Sequence, residues 1–363
     1  MSVNIGIIGL AKSGKTTIFN ALTRGKADIE SPAAHIGIAK VPEPRLKPLV
    51  SMLQPKKVVP VEASYTDIGA SIKGLGKETG ISGQLLNQLS SVDALINVVR
   101  AFTDESIPHV EGSLDVKRDI ATIDLELAFS DLAIIERRLE RIEISLKGAK
   151  PPERQGLLRE QESLMKIKAD LEKDVPIREQ RLTTNEARAI TSYQFLTAKP
   201  ILIVVNIGEE QLSQAASLET ELSLHYSRPK CRIITLCGKL EMELAQLNNE
   251  GAEAFRSEFG VLESGFDRTI KLSYELLGLI SFFTIASDEV KAWSIHHGTS
   301  AVKAAGKIHS DMERGFIRAE VITYDDLMKC GSLSESRKKG LLRLEGKDYI
   351  VQDGDVITFL FNI

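Results

Sequence analysis

The chain has 363 residues, of which 43% are hydrophobic and 26% are charged, a composition typical of a globular protein with two or three domains. Its net charge of −4 excludes a general attraction to nucleic acid or acidic lipid, so any such contact must come from a local basic surface. Three cysteines without CxxC spacing indicate neither a disulfide framework nor a zinc site. No apolar run approaches the roughly 20 residues that span a bilayer, and a strand begins too early for a signal peptide, so we expect a cytoplasmic protein.

Short runs of β-branched residues predict a parallel sheet. The first run, residues 3–8, is followed by a helical pattern at residues 15–23. Continuous apolar strands alternating with helices are typical of a sheet covered by helices on both faces. We therefore predict an α/β fold. The further strands are predicted at residues 65–67, 94–99, 200–205 and 232–236.

Residues 119–197 have a different pattern, polar and helical with almost no strand signal. Leucine and isoleucine recur at spacings of three, four and seven, which predicts an antiparallel helical hairpin with arms of about 20 residues, roughly 30 Å long. A functional arm and a structural insertion both fit this pattern. The seam residues are Leu132, Ile135, Leu139, Ile142 and Leu146, then Leu157, Leu164 and Leu171.

The C-terminal residues predict a small separate α+β domain, with strands at residues 282–285, 290–295, 349–351 and 356–361. The predicted domain division follows from these patterns. It places the first part of a nucleotide-binding domain at residues 1–118, the helical insertion at 119–198, the second part of the nucleotide-binding domain at 199–278 and the C-terminal domain at 279–363.

A phosphate-binding motif lies between the first strand and the first helix. Gly9-Leu10-Ala11-Lys12-Ser13-Gly14-Lys15-Thr16, followed by Thr17, matches the P-loop pattern in full. The glycines let backbone N–H groups turn towards phosphate oxygens, Lys15 reaches the β- and γ-phosphates, and the Thr16 hydroxyl binds Mg²⁺. Asp67 follows a predicted strand, where it either holds Mg²⁺ through water or caps a helix. We therefore predict a nucleoside triphosphate and Mg²⁺ as ligands.

Other segments carry a family resemblance that covers essentially the whole chain. Residues 41–46 (VPEPRL), residues 109–115 (HVEGSLD) with Arg118-Asp119-Ile120, and the C-terminal runs 289–293, 304–311, 313–321 and 353–355 resemble the Obg-like ATPase (YchF-type) family of translation-factor-class P-loop proteins. The resemblance implies a C-terminal TGS-like (β-grasp) domain, ATP in place of GTP, and association with the ribosome or structured RNA. We also expect a monomer.

The predicted base-binding strand end departs from that of GTPases. Asn206-Ile207-Gly208-Glu209 matches the N-x-x-E form of the family, with Ile207 in place of the lysine that stacks on guanine. Glu209 replaces the shorter Asp that accepts from guanine, so preference for GTP should relax or invert towards ATP. Glu209 as a helix cap is the alternative. Cys237 and Gly238 lie in the second base-contacting loop.

Several catalytic positions depart from the family pattern. Lys12 stands where the family has an Asn that can hold potassium, so its ammonium either supplies this charge or is solvated. Ala70 and Ser71 replace γ-phosphate-sensing and water-positioning residues of related enzymes, and Ser31 aligns only loosely with a Mg²⁺-binding Thr. His109 is a candidate for positioning water, or makes a polar contact only.

Two functions remain open from the sequence. One is a slow ATPase, possible also with GTP, whose nucleotide state alters its binding to the ribosome. The other is a nucleotide-loaded binding protein that has lost hydrolysis. Lysines and arginines of the C-terminal domain and the hairpin either form an RNA-binding surface or are ordinary solvated side chains. They include Lys291, Lys303, Lys307, Arg314 and Arg318, and in the hairpin Arg137, Arg138, Arg141, Arg154, Arg159, Lys166 and Lys168.

Overall fold

The computed structural model describes residues 3–25, 35–68, 83–226, 228–247, 251–252, 256–257, 263–286 and 288–362. By their internal contacts these residues form two compact units. The larger unit contains residues 3–38 and 64–269, and the smaller unit contains residues 39–63 and 270–363.

The larger unit is built on a six-stranded sheet. Side by side, the strands are β2 (His35–Lys40), β4 (Glu62–Asp67), β1 (Val3–Ile8), β5 (Ala94–Arg100), β6 (Ile201–Asn206) and β7 (Cys231–Leu236). Neighbouring strands β1 and β5, β5 and β6, and β6 and β7 are all parallel, which confirms the predicted α/β sheet. The helices that accompany the sheet are α1 (Lys15–Thr23), α3 (Gly83–Ser91), α7 (Ala215–Tyr226) and α8 (Gly238–Leu244).

The central strands are buried on both faces, and this explains their continuous apolar sequence. Every residue of β5 and β6 is buried, including the polar Asn97, Arg100 and Asn206. Polar groups in such strands need partners from neighbouring loops. Two of these residues, Arg100 and Asn206, lie at the carboxyl ends of their strands, where loops with functional residues meet.

The predicted helical hairpin consists of α4 (Val116–Leu146) and α5 (Pro151–Leu171). Asp115 caps α4 by accepting a hydrogen bond from the Arg118 backbone N–H, and Pro151 provides the preset φ angle that begins α5. Helix α4 has 31 residues, about 46 Å at 1.5 Å per residue, and is therefore longer than the predicted arm.

The first turns of α4 belong to the core of the sheet, and the remainder forms the hairpin. Ile120, Ile123 and Leu127 lie in the core cluster of the sheet. Farther along, Ile135 and Ile142 pack with residues of α5 in a second cluster. The predicted seam is confirmed, because Leu132, Leu139, Leu146, Leu157, Leu164 and Leu171 all belong to this second cluster.

A buried carboxylate fixes the return of the chain from the hairpin. Asp131 of α4 accepts hydrogen bonds from the backbone N–H groups of Leu196 and Thr197, each at 2.8 Å, and from the Thr197 hydroxyl at 2.6 Å. Its side chain is fully buried, and burial raises the pKa of Asp131 to about 6. Between α5 and β6 lie α6 (Thr184–Ile190) and short 3₁₀ turns at Ile177–Glu179, Thr191–Tyr193 and Leu196–Ala198.

The smaller unit contains a mixed sheet with helices. In spatial order the strands are β11 (Arg343–Glu345), β10 (Phe316–Thr323), β12 (Asp355–Phe361), β8 (Leu279–Ile285), β9 (Glu289–His296) and β3 (Lys57–Val59). Strands β8 and β9 are antiparallel, as are β10 and β12, whereas β12 lies parallel to β8. Its helices are α2 (Leu46–Leu53), α10 (Ala301–Ile308), α11 (Ser310–Arg314), α12 (Tyr324–Cys330) and α13 (Leu333–Lys338), while α9 (Gly265–Leu276) contributes residues to both units.

Two features of the smaller unit differ from the sequence expectation. The sequence predicts a strand at residues 349–351, but of these residues only Ile350 forms an isolated bridge, with Ser300. Residues 39–63 belong to this unit, because β3 pairs in parallel with β9, although the predicted division assigns them to the first part of the nucleotide-binding domain. A three-residue edge strand gives too short a pattern for sequence reading to detect.

Within the described residues, no helix combines the length and the apolar character needed to cross a membrane.

Replacing Asp131 with Ala should lower the free energy of unfolding by about 2–4 kcal/mol, because three buried donors lose their acceptor. Urea unfolding measures this, with Glu162→Ala, at an exposed position inside α5, as a control expected within about 0.5 kcal/mol of wild type. The pKa of Asp131 is raised in the folded state, so its ionisation opposes folding as pH rises towards 6. The loss in the variant should therefore be larger at pH 5 than at pH 7.5. Equal stability of variant and wild type at both pH values would contradict this role of Asp131.

Candidate nucleotide-binding site

The P-loop turn depends on two glycines. Gly9 has φ +151° and Gly14 has φ +95°, backbone conformations that L side chains rarely adopt. A Cβ on Gly9 would lie 2.4 Å from the Val98 carbonyl oxygen, and one on Gly14 would lie 2.3 Å from Asn206 Nδ2. The turn is therefore packed directly against β5 and β6, and both positions exclude a side chain.

Lys15 is buried at the start of α1. Its Nζ donates to the carbonyl oxygens of Leu10 at 3.0 Å and of Gly9 at 3.3 Å, so the loop curls around the ammonium group. Burial lowers the pKa of Lys15, and the nearby Asp67 carboxylate opposes this shift. A phosphate group would supply the negative charge that this buried ammonium lacks.

Thr16 and Asp67 form the candidate metal position. The Thr16 hydroxyl donates to Asp67 Oδ2 at 2.7 Å, which brings together the two side chains that the sequence assigned to Mg²⁺. Asp67 is 1% exposed, and its Oδ1 has no hydrogen-bond partner among the described residues. A buried carboxylate oxygen beside a hydroxyl oxygen is a suitable donor set for Mg²⁺ with water and phosphate. Ser31, the third predicted metal ligand, lies outside the described residues.

Asn206 joins the P-loop to the loop after β7. Its Nδ2 donates to the Ser13 carbonyl oxygen at 3.1 Å, and its Oδ1 accepts from the Gly238 N–H at 2.9 Å. Both halves of the amide are used, so the residue fixes two loops at once. The sequence predicts Asn206 as a nucleotide-binding residue, and these two bonds make it a bridge between the phosphate loop and the loop after β7.

A cleft of about 360 Å³ lies beside the P-loop. Predicted residues line it together with residues that the sequence did not indicate, Phe102, Thr103, Asp104, Glu210 and Lys239. Arg100 holds this loop, because its side chain donates to the Phe102 carbonyl at 3.2 Å and its guanidinium carbon lies 4.5 Å from the centroid of the Phe102 ring. The complete lining is Gly14, Thr17, Phe102, Thr103, Asp104, Asn206, Ile207, Gly208, Glu209, Glu210, Cys237 and Lys239.

The predicted base contacts occupy different positions in this cleft. Ile207 is 2% exposed and packs in the core cluster, so it cannot cover a base as the lysine of GTPases does. Glu209 begins a 3₁₀ helix, Glu209–Gln214, and its carboxylate pairs with Lys239 at 2.9 Å on the cleft wall. Cys237 is buried at the start of α8, and burial raises the pKa of its thiol.

His109 lies in a hydrogen-bonded loop before α4. Its Nε2 is 2.9 Å from Asp119 Oδ2, and its Nδ1 accepts from the Glu111 N–H at 3.1 Å. The side chain is 7% exposed. Arg118 binds the other oxygen of Asp119, Oδ1, at 2.8 Å, so the segment that carries the family resemblance forms one network. Asp119, the partner of His109, was not recognised from the sequence as a functional residue.

Lys12 lies at the exposed tip of the P-loop with φ +62°. In the described part of the chain it has no hydrogen-bond or ion-pair partner, so its ammonium is available to a ligand. Ala70 and Ser71, the altered positions after Asp67, lie outside the described residues.

Comparison with known proteins identifies the family. The protein named Ribosome-binding ATPase YchF from Bacillus subtilis (strain 168) is 40% identical over 100% of both chains. The chain belongs to the YchF family. A relative with the same name from Escherichia coli O157:H7 is 35% identical, again over 100% of both chains. The family model YchF-GTPase_C, described as a protein of unknown function (DUF933), matches residues 279–362.

The fold of this YchF-family chain agrees with that of a solved relative. The structure of the Schizosaccharomyces pombe YchF GTPase superimposes with a TM-score of 0.85 at 31% identity, over 99% of this chain and 98% of that one. The prediction of a YchF-type P-loop fold with an inserted hairpin and a C-terminal domain is confirmed.

Many basic residues expected on an RNA-binding surface are paired with carboxylates inside their own unit. Lys303 lies 2.6 Å from Glu313, and Arg314 pairs with Asp311. Lys291 lies over the Trp293 ring, 3.7 Å from its centroid. In the hairpin, Arg138 pairs with Glu160, Lys166 with Glu186 and Lys168 with Glu136. These pairs reduce the positive potential available to phosphates.

Replacing Asn206 with Ala should weaken binding of a nucleoside triphosphate about tenfold to a hundredfold. The P-loop and the α8 loop would each lose a buried hydrogen bond that holds them in place. Calorimetric titration measures the affinity, and Thr220→Ala, on an exposed position of α7, is the control. Unchanged affinity in a folded Asn206→Ala variant would show that the bridge does not shape the site.

Proposed function

We propose that this chain is a Mg²⁺-dependent P-loop ATPase with slow turnover that binds the ribosome. Lys15, Thr16 and Asp67 lie together around the P-loop turn, in a chain whose full-length relatives are named ribosome-binding ATPases. Ribosome association also supports a cytoplasmic location. We also propose that the protein is a monomer.

The residues of the P-loop would act mainly on the phosphates. The N–H groups of residues 10–16 and the start of α1 bind phosphate oxygens, and Lys15 neutralises the β- and γ-phosphates. Thr16 and Asp67 would hold Mg²⁺, which when bound neutralises the charge that develops on the phosphate oxygens. Loss of the direct Thr16–Asp67 hydrogen bond on metal binding would free both oxygens for this purpose.

Lys12 and His109 are the proposed additional catalytic residues. The unpaired ammonium of Lys12 at the loop tip would supply, within the chain, the positive charge that a potassium ion supplies in relatives with Asn there. Asp119 holds one nitrogen of His109 and so orients the imidazole. Breaking one hydrogen bond, from the Glu111 N–H to Nδ1, would free a lone pair to position the attacking water.

The cleft supports adenine over guanine. Ile207 is turned into the core, and the carboxylate of Glu209 is paired with Lys239, so neither provides the contacts that GTPases make to guanine. Phe102, held by Arg100, offers an aromatic surface for the base in place of the missing lysine. We infer ATP as the preferred nucleotide, with GTP as a weaker ligand.

A second candidate function is a nucleotide-loaded ribosome-binding module without hydrolysis. One observation favours it, because both ring nitrogens of His109 are engaged by protein groups, Nε2 by Asp119 and Nδ1 by the Glu111 N–H. The two functions predict different outcomes in the same assay.

Phosphate release under multiple-turnover conditions tests the proposal. We expect slow, Mg²⁺-dependent release from ATP that Lys15→Ala abolishes, and the same rate in sodium and potassium buffers because Lys12 replaces the ion. Release unaffected by Lys15→Ala would indicate a contaminating ATPase. ATP binding without release would favour the second function, and strong stimulation by potassium would exclude the proposed role of Lys12.

Replacing His109 with Ala should lower the single-turnover rate of ATP hydrolysis by about 10²-fold, because the water loses its positioning group. Affinity for ATP should stay within about twofold, since His109 is not part of the cleft lining. Asp119→Asn is the matched variant, expected to lose part of the rate. An unchanged single-turnover rate in His109→Ala would exclude the catalytic role.

A further inference from the structure

Two segments of the family resemblance that the nucleotide site does not use meet in the smaller unit. Arg45 donates from Nε and Nη2 to the Glu43 carboxylate at 2.7 and 2.8 Å. It also donates from Nη1 and Nη2 to the Asp353 carboxylate at 2.8 and 3.1 Å. One guanidinium thus joins two carboxylates that are 310 positions apart in the chain. We name Glu43, Arg45 and Asp353 the Arg45 anchor.

Side chains of the Arg45 anchor have further contacts with β8 and with the turn at Gly354. The Glu43 side chain is 5% exposed, and the guanidinium carbon of Arg45 lies 5.4 Å from the centroid of the Phe283 ring. Asp353 Oδ1 also accepts from the Ser281 N–H of β8 at 2.9 Å. Gly354 has φ +87°, and a Cβ there would lie 2.7 Å from Arg45 Nη1. Ordinary surface ion pairs lack such fixed partners on every side.

The anchor fixes the segment of residues 39–63, which we name the inserted segment. Helix α2 begins at Leu46, directly after Arg45, and β3 pairs with β9 from Lys57 to Val59. The Val41 N–H donates to the Val61 carbonyl at 2.8 Å, so the two ends of the segment are hydrogen-bonded to each other. The inserted segment is therefore a loop that is closed at its base and held by the anchor.

The inserted segment continues directly into β4, the strand that ends at the candidate metal ligand Asp67. Strand β4 begins at Glu62, next to Val61, and ends at Asp67. Six residues of extended chain span about 20 Å. At the far end Asp67 accepts the hydrogen bond from Thr16 at 2.7 Å. A shift of the inserted segment along the β4 direction would thus displace the carboxylate of Asp67.

We propose that Arg45 is a positioning residue for the Mg²⁺–nucleotide site, acting through the inserted segment and β4 on Asp67. By holding the segment in the smaller unit, the anchor keeps the Asp67 carboxylate beside the Thr16 hydroxyl. A partner that disturbs the smaller unit would then change metal binding at the P-loop. By linkage, Mg²⁺ and nucleotide would change the affinity for that partner. This inference rests on the proposed Mg²⁺ and nucleotide site.

The test uses Arg45→Met and Asp353→Asn in the full chain. The first readout is the Mg²⁺ concentration that gives half-maximal binding of a fluorescent ATP analogue, and the second is kcat and KM for ATP. We expect the Mg²⁺ midpoint to rise about threefold to tenfold and kcat to fall by a similar factor. Affinity at saturating Mg²⁺ should stay within about twofold, because Lys15 and the P-loop are untouched.

Lys56→Met is the matched control. Lys56 lies in the same inserted segment and pairs with Asp288 at 3.1 Å, but its side chain is 81% exposed. This variant should keep the wild-type Mg²⁺ midpoint. If Arg45 and Asp353 act through one interaction, the double variant should show no larger a change than Arg45→Met alone.

Wild-type Mg²⁺ midpoints in folded Arg45→Met and Asp353→Asn would overturn the inference while leaving the proposed function intact. Thermal unfolding establishes whether each variant is folded. If Arg45→Met does not fold, Asp353→Asn decides alone, since this side chain is 52% exposed and the substitution keeps its shape. Absence of Mg²⁺-dependent ATP binding in the wild type would instead overturn the proposed function and this inference together.

Discussion

The contact between the P-loop turn and β6 is the constraint on which the rest of the site depends. Gly14 can have no side chain, because a Cβ there would meet the amide of Asn206, and that amide holds both Ser13 and Gly238. The turn, the strand end and the second base loop are therefore fixed together. A phosphate site and a base site built in this way move as one body, which favours binding of a whole nucleotide over either part alone.

Polar residues are tolerated deep in the sheet because their side chains hold the loops at the strand ends. Arg100 and Asn206 end two neighbouring buried strands, and each uses its side chain to hold a loop that lines the cleft. Burial gives these hydrogen bonds little competition from water, so the loops are held firmly. The positions of these cleft loops in the larger unit are thus fixed by buried side chains at the ends of β5 and β6, which can do so without contacting the ligand.

Much of the site could be predicted from the sequence, because the P-loop is a local motif. Gly9, Lys15 and Thr16 are placed by the turn itself, and Asp67 follows from the position of its strand. Phe102 and Asp119 could not be predicted in the same way, because their roles depend on which loops the sheet brings together. For His109, only a search for a carboxylate in the following helix would have suggested Asp119.

In the fold, too, features that depend on neighbouring residues could be predicted, whereas contacts between residues far apart in the chain could not. The long apolar strands and the heptad seam of the hairpin have clear periodicity and were predicted correctly. Strand β3 has three residues, and its pairing with β9 joins positions 57 and 289, a separation that no local pattern encodes. The same pairing places residues 39–63 in the smaller unit, so their membership is not indicated by any local pattern of the sequence either.

Helix α4 has a geometric consequence for the hairpin. It is one continuous helix from the network around Asp119 to the tip at Leu146, with its first turns embedded in the core of the sheet and its later turns in the seam. Over about 40 Å, at 1.5 Å per residue, a rotation of a few degrees at the buried end of a rigid helix corresponds to a displacement of several ångströms at the tip.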